Sequence, residues 1–356
     1  MPNPFSEFAQ RLRDFPGPEA FNTLALELFA LQFESIAPYR QFCLSRQANP
    51  STVHDWRQIP AIPSTSFKDF DLTSLPAEKR SFVFHSSGTT SDRPSRHFHS
   101  AESIALYEDS LHPWFLENFF PDVPAADFSN FDLRFLTPPP DLAPHSSLVH
   151  MFETIRRRFP AARAEFVGEL DRAGAWTLFL PRAAQALNTA RPVAILGTAF
   201  SFVHLLDYFS SRSERCVLPA GSRALETGGY KGRSRSLPKA ELHRLISHTL
   251  GLPADRIHCE YGMSELSSQA YQSSNSGAFH FPPWARTRII SPETALEVEV
   301  GETGLLQIFD LANVWSVLAI QTEDLATRLE SGFALIGRSP AAAPRGCSLL
   351  PAEFTS

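Results

Sequence analysis

The feature that most constrains this chain is a recurring pair: a short apolar run, then a stretch with helical spacing. Pro192-Val193-Ala194-Ile195-Leu196-Gly197 reads as a strand, and Phe202 to Phe209 as the helix after it. Leu133 to Leu136 reads as a buried strand entering the loop Thr137-Pro138-Pro139-Pro140. The helix expected next, Ser147 to Phe159, carries Arg156, Arg157 and Arg158 in its last turn, where cations are favoured. Ser81 to Phe84 is a further short strand, and Ser100 is a good N-cap for a helix reaching to Phe119, with Glu102 in its first turn. Ser236 is expected to cap a helix over Pro238 to Leu250, stopped by Gly251 and Pro253. Ile257-His258-Cys259 is a strand that enters a turn at Gly262. Strands alternating with helices predict an α/β fold around a largely parallel sheet.

The texture changes after Arg286. Arg288-Ile289-Ile290, Ala295 to Val300, Leu305 to Asp310 and Val317 to Gln321 are close-spaced strand candidates. Gly301-Glu302-Thr303-Gly304 reads as a hairpin connection between two of them. The expected division is an α/β region over 1–285 and a small β-rich subdomain with a C-terminal tail over 286–356. Near the N-terminus, Phe21, Leu24, Leu28 and Leu31 recur at helical spacing.

Composition narrows the function. The 356 residues are 43% apolar and 20% charged, which excludes a disordered chain. A formal net charge of −6 argues against broad nucleic-acid binding and gives no polybasic attraction to membranes. Neither a secretory signal nor a membrane-length apolar run is visible, so a cytoplasmic location is expected. Cys43, Cys216, Cys259 and Cys347 form no CxxC pair and read as free thiols. Any chemistry that needs a lysine must choose among Lys68, Lys79, Lys231 and Lys239.

Two segments are candidates for chemistry. His85-Ser86-Ser87-Gly88-Thr89-Thr90-Ser91-Asp92-Arg93-Pro94-Ser95-Arg96-His97 follows a strand and is dense in hydroxyls, small residues and cations. Phosphate chains are held by such groups. An ordinary Ser/Thr-rich surface loop has the same composition, and no GxxxxGK[ST] loop is present. Glu260-Tyr261-Gly262-Met263-Ser264-Glu265 also follows a strand, at the end where open α/β sheets put ligands. There Glu265 is a candidate Mg²⁺ ligand, Ser264 a phosphate donor and Tyr261 a base-stacking ring. Read alone, the segment is better taken as a turn with a buried tyrosine and a surface glutamate.

Together these segments resemble the adenylate-forming enzymes, which include acyl- and aryl-CoA ligases, luciferase and adenylation domains. Ser86-Ser87-Gly88-Thr89-Thr90 is followed in order by Tyr261-Gly262-Met263-Ser264-Glu265, Thr322-Glu323-Asp324 and the stretch from Gly332-Phe333 to Gly337-Arg338. A narrower resemblance, to the acyl-protein synthetases of bacterial bioluminescence, covers nearly the whole chain. It is carried by Ser95-Arg96-His97 after the Ser/Thr loop, by Glu226-Thr227-Gly228-Gly229-Tyr230-Lys231-Gly232-Arg233, and by Arg345-Gly346-Cys347-Ser348-Leu349-Leu350.

The resemblance implies the large domain of an adenylate-forming enzyme that uses ATP and Mg²⁺ to activate a fatty acid. Ser86, Ser87, Gly88, Thr89 and Thr90 would hold the triphosphate. Gly228 and Gly229 would lie along the adenine, and Tyr261 would stack on it. Ser264 would touch the α-phosphate, Glu265 would bind the metal, and Asp324 and Arg338 would hold the ribose. Cys347 would accept the acyl group and pass it to an acyl reductase partner. The sequence departs from the wider family at Ser91 and Glu323, each in place of glycine. Only 18 residues follow Arg338, so the family's mobile C-terminal lid, with its catalytic lysine, is expected to be absent. Lys231, between glycines and close to Arg233 and Arg235, is the expected local substitute. A soluble thiol such as coenzyme A as acceptor, or a non-catalytic scaffold for a reductase, are the alternative readings.

Overall fold

Five strands lie parallel in the spatial order Arg163–Phe166, Asp132–Phe135, Val193–Thr198, Arg223–Thr227 and Ile257–Tyr261. They belong to a computed structural model that describes residues 3–86, 93–172, 175–229, 235–272 and 277–339. Every residue of Val193–Thr198 and Arg223–Thr227 is buried, because helices cover both faces. On one face, Phe202 and Leu206 of helix Ala199–Ser211 and Leu242 and Ile246 of helix Lys239–Leu250 share a core. On the other, Tyr107, Leu111 and Phe115 of helix Ala101–Phe119 meet Phe152 and Ile155 of helix Ser147–Arg158.

Beyond Ile257–Tyr261 the sheet turns antiparallel through Ala270–Gln272, Phe279–His280, Phe333–Arg338, Ala319–Arg328, Thr303–Asp310 and Ala285–Ile290. Ile62–Pro63 pairs alongside Ala319–Arg328, so a continuous sheet of twelve strands runs across residue 286. Helices Pro4–Arg13, Phe21–Ser35 and Ala37–Ser45 pack on the antiparallel half, where Phe8, Phe29 and Phe33 join Phe309, Trp315 and Ile320 in one core. The buried Gln32 carboxamide fastens the two. It donates to the Asn313 carbonyl at 2.8 Å and accepts from the Leu318 N–H at 2.9 Å.

The helix capped by Ser100 spans Ala101–Phe119 as expected, with the Ser100 hydroxyl accepting from the Ser103 N–H at 3.2 Å. Gly251 ends Lys239–Leu250 at φ 69°, the left-handed conformation glycine tolerates. Its start differs from expectation, because Pro238 rather than Ser236 is the N-cap. Ala295 to Val300 is not a strand. Ala295 adopts φ 57°, Leu296 is exposed, and Glu297 makes only an isolated bridge to Ile290. Nor is Gly301 to Gly304 a hairpin tip, since Thr303 and Gly304 are already paired with Thr327 and Ala326. Among the described residues no helix is long and apolar enough to cross a membrane.

Candidate active site

Strands Phe82–His85 and Arg96–His99 form a hairpin whose neck is closed by two hydrogen bonds. The Ser86 N–H donates to the Ser95 carbonyl at 3.3 Å, and the Ser95 N–H to the Ser86 hydroxyl at 3.0 Å. Ser87, Gly88, Thr89 and Thr90 lie outside the described residues, with Ser86 at their base.

Ser95 turns its buried hydroxyl to the Glu265 carboxyl at 2.5 Å, and the Ser264 hydroxyl reaches the other carboxyl oxygen at 2.9 Å. Ser264 and Glu265 are held from two further sides. His97 Nδ1 lies 2.9 Å from the Ser264 carbonyl, and the Asn313 amide donates to the Glu265 carbonyl at 3.0 Å. Burial pushes His97 down to about 4, so the imidazole is neutral and its proton sits on Nδ1, facing that carbonyl. Burial pushes the Glu265 carboxyl above its ordinary range; the two serine hydroxyls and the Arg338 charge pull it partly back. A desolvated carboxyl surrounded by oxygen donors fits a hard divalent cation such as Mg²⁺, which takes oxygen ligands.

A second group stands at the end of strand Ile257–Tyr261, just ahead of Ser264 and Glu265. The Tyr261 hydroxyl donates to Asp324 Oδ2 at 2.7 Å. Burial, then the Asp324 charge, pushes the phenol far up and keeps it protonated. Asp324 and Arg338 are register partners on adjacent strands, and the exposed guanidinium lies 3.6 Å from Asp324 Oδ1. The Tyr261 ring is edge-on to Phe279, Phe281 and Phe333, which fixes its plane. The Arg338 charge acts on both Tyr261 and Glu265, so the two groups share one electrostatic environment.

Gly228 and Gly229 follow the parallel neighbour of that strand and are exposed, Gly228 at φ 65°. Among the described residues no atom lies within 4 Å of where a Cβ would stand on either, so they form an open ledge there. Beneath them the Thr227 hydroxyl donates to the buried Glu260 carboxyl, which burial pushes up to about 7.

Thus Ser86, Ser264 and Glu265 are linked through Ser95, and Tyr261, Asp324 and Arg338 form a second linked set beside them. Lys231 and Cys347 lie outside the described residues. Five participants were not assigned from sequence. Ser95, His97, Thr227 and Glu260 sit inside segments singled out for their polar residues, so composition marked them without giving a role. Asn313 carries no local signal; only the fold brings it under Glu265.

No protein-family model matches the chain. It is 23% identical over 313 residues to the long-chain-fatty-acid–luciferin-component ligase of Aliivibrio fischeri, across 86% of this chain and 79% of that protein. The Vibrio harveyi protein of the same name is 23% identical over 334 residues, covering 87% and 82%. Among solved structures, 2-hydroxyisobutyryl-CoA ligase with 2-HIB-AMP and CoA in the thioesterification state superposes with a TM-score of 0.64 at 16% identity, over 91% of this chain and 69% of that one. Its open conformation gives 0.62 at 16% identity, over 89% and 74%. The fold is therefore that of the adenylate-forming ligases.

Proposed function

We propose that this chain is an ATP-dependent acid ligase that activates a fatty acid and transfers it to a thiol. A carboxylate oxygen of the acid attacks the α-phosphorus of ATP, an O–P bond forms, and pyrophosphate leaves. A thiolate then attacks the acyl carbon, a thioester forms, and AMP leaves. Ser86 to Thr90 hold the triphosphate and Ser264 the α-phosphate. Gly228, Gly229 and Tyr261 take the adenine, and Asp324 and Arg338 the ribose. Glu265, steadied by Ser95, is the residue that holds Mg²⁺. When bound, the cation offsets charge on the phosphates as the leaving group departs. The ligase names of both curated relatives support the fatty acid as substrate. Cys347 is the acyl acceptor, Lys231 stands in for the lysine of the family's lid, and an acyl reductase in the cytoplasm takes the product.

The observation that carries this reading is the buried Glu265 carboxyl held between two serine hydroxyls, beside the Tyr261–Asp324–Arg338 set. Pyrophosphate exchange across a series of acids tests it. Each methylene buried adds about 0.8 kcal/mol, so exchange should rise steeply with chain length. A flat profile rejects the fatty acid, and no exchange with any acid rejects the ligase. The likeness to a structure holding CoA favours a second acceptor, a soluble thiol. Acyl label that remains on the denatured protein and is lost in Cys347→Ala decides for Cys347; label found only on added CoA decides against it.

A further inference from the structure

On the sheet face opposite the Thr227–Glu260 pair, three metal-ligating side chains converge outside the proposed reaction centre. Glu226 and Cys259 are register partners on neighbouring parallel strands, so their side chains leave the sheet on the same side. Helix Lys239–Leu250 covers that side and brings His243 over them. Cys259 Sγ lies 2.8 Å from Glu226 Oε1 and 3.4 Å from His243 Nε2, and His243 Nε2 lies 3.4 Å from the same Glu226 oxygen. Glu226 and Cys259 are buried and His243 is half-buried.

We propose that Glu226, His243 and Cys259 bind one Zn²⁺ ion, with a fourth position left for water. Zinc bonds of about 2.3 Å to sulfur and about 2.0–2.1 Å to nitrogen and oxygen, at tetrahedral angles, place the donors roughly 3.3–3.6 Å apart. Two of the three separations already match. The third, from sulfur to oxygen, must open by about 0.7 Å to meet that geometry, which a turn of the Glu226 side chain supplies.

Charge and donor type agree with the geometry. A thiolate, a carboxylate and a neutral imidazole together cancel the two charges of the cation. Without metal, the Cys259 S–H donates to the Glu226 carboxylate oxygen. The metal takes the place of that proton, which leaves to solvent. A sulfur–nitrogen–oxygen set suits zinc and not Mg²⁺, so this site is chemically separate from Glu265. Lys239, one turn earlier on the helix, brings the competing positive charge. Its ammonium interacts with the Cys259 sulfur, donates to Gln272 and lies 4.7 Å from the Phe279 ring centre, so the exposed side chain must give up these contacts and swing outward as the ion enters. Bound zinc would tie together the strands that lead to Gly228-Gly229 and to Tyr261, and the helix after Lys231.

Metal content and spectroscopy test this on the full chain. After chelation and desalting, the protein should take up about one equivalent of Zn²⁺. With Co²⁺ as the probe it should show a cysteinate charge-transfer band and intense tetrahedral d–d bands. Cys259→Ser should abolish the charge-transfer band, and Cys43→Ser and Cys216→Ser should keep it. His243→Gln, at a half-buried helix position, should fold and weaken zinc at least about a hundredfold. Zinc should raise the Tm of the wild type and not of His243→Gln. A wild type with no cysteinate–cobalt band, a band that survives Cys259→Ser, or unchanged zinc affinity in His243→Gln overturns the proposal.

Discussion

Ser95→Ala removes one hydroxyl from the buried carboxyl of Glu265 and leaves the other hydrogen bond in place. Ser95 is 1% exposed and its hydroxyl stands 2.5 Å from the carboxyl oxygen, so bulk water has no room to replace it. A hydrogen bond to an ionised group contributes about 1.5–3 kcal/mol, against about 0.5–1.5 for a neutral pair. The variant should therefore lose about 1.5–3 kcal/mol of stability where Glu265 is ionised and about 1 kcal/mol where it is protonated. The sign follows from burial. The folded carboxyl titrates above its unfolded value, and the Ser95 hydroxyl lowers it. Deleting the hydroxyl raises it further, so the additional loss appears as pH rises through the folded pKa and fades below it. Urea unfolding of both proteins over a pH series reads the effect directly. In pyrophosphate exchange, the acid limb of the variant should move to higher pH. A stability cost that does not vary with pH, or an equal cost in a Glu265→Gln background, would refute the coupling between these two side chains.

Glu260 titrates at about 7 in the folded chain against an ordinary 4.5, so it makes stability fall as pH rises from about 4.5 to about 7. Glu260→Gln should flatten that part of the stability profile and gain on the wild type by up to a few kcal/mol at pH 8, at about 1.4 kcal/mol per unit, as read by urea unfolding. Tyr261→Phe removes the hydrogen bond to Asp324 but keeps the ring, so the KM for ATP should rise about tenfold, at about 1.4 kcal/mol, with a stability loss of about 1.5 kcal/mol read by urea unfolding. An unchanged KM would show that the Tyr261–Asp324 hydrogen bond does not support the nucleotide site. Cys347→Ala should still exchange pyrophosphate but hold no hydroxylamine-labile acyl group, whereas Cys43→Ala and Cys216→Ala should retain it. Acylation equal to wild type in Cys347→Ala moves the acceptor elsewhere.

What could be read from sequence was local. The apolar run at residues 192–197, the Ser100 cap and the Gly251 stop each act within a few residues, and each appears in the structure at or within a residue or two of its expected place. Ala295 to Val300 failed because its apolar residues sit in a turn, with Leu296 exposed. The candidate site follows the same rule. Ser264, Glu265 and Tyr261 were legible because they fall in one short segment at a strand end. Asn313 was not, because its amide reaches Glu265 across 48 residues through folding alone. The carboxamide of Gln32 is the extreme case, with partners 281 and 286 residues away and no pattern in the chain to announce them.

That distance sets a schedule for synthesis. Helix Phe21–Ser35 leaves the ribosome early, but Asn313 and Leu318, which its Gln32 engages, emerge some 281 and 286 residues later. At about 5–20 residues per second the wait is roughly 15–60 s. Through that interval Phe21, Leu24, Leu28 and Phe29 lack the strands that later bury them. The nascent chain therefore carries a waiting apolar stripe that neighbouring polysomes, chaperones or membranes can reach first. Slower growth temperatures lengthen the wait as well as weakening hydrophobic adhesion, so the yield of folded protein should depend more on chaperone supply than on temperature alone.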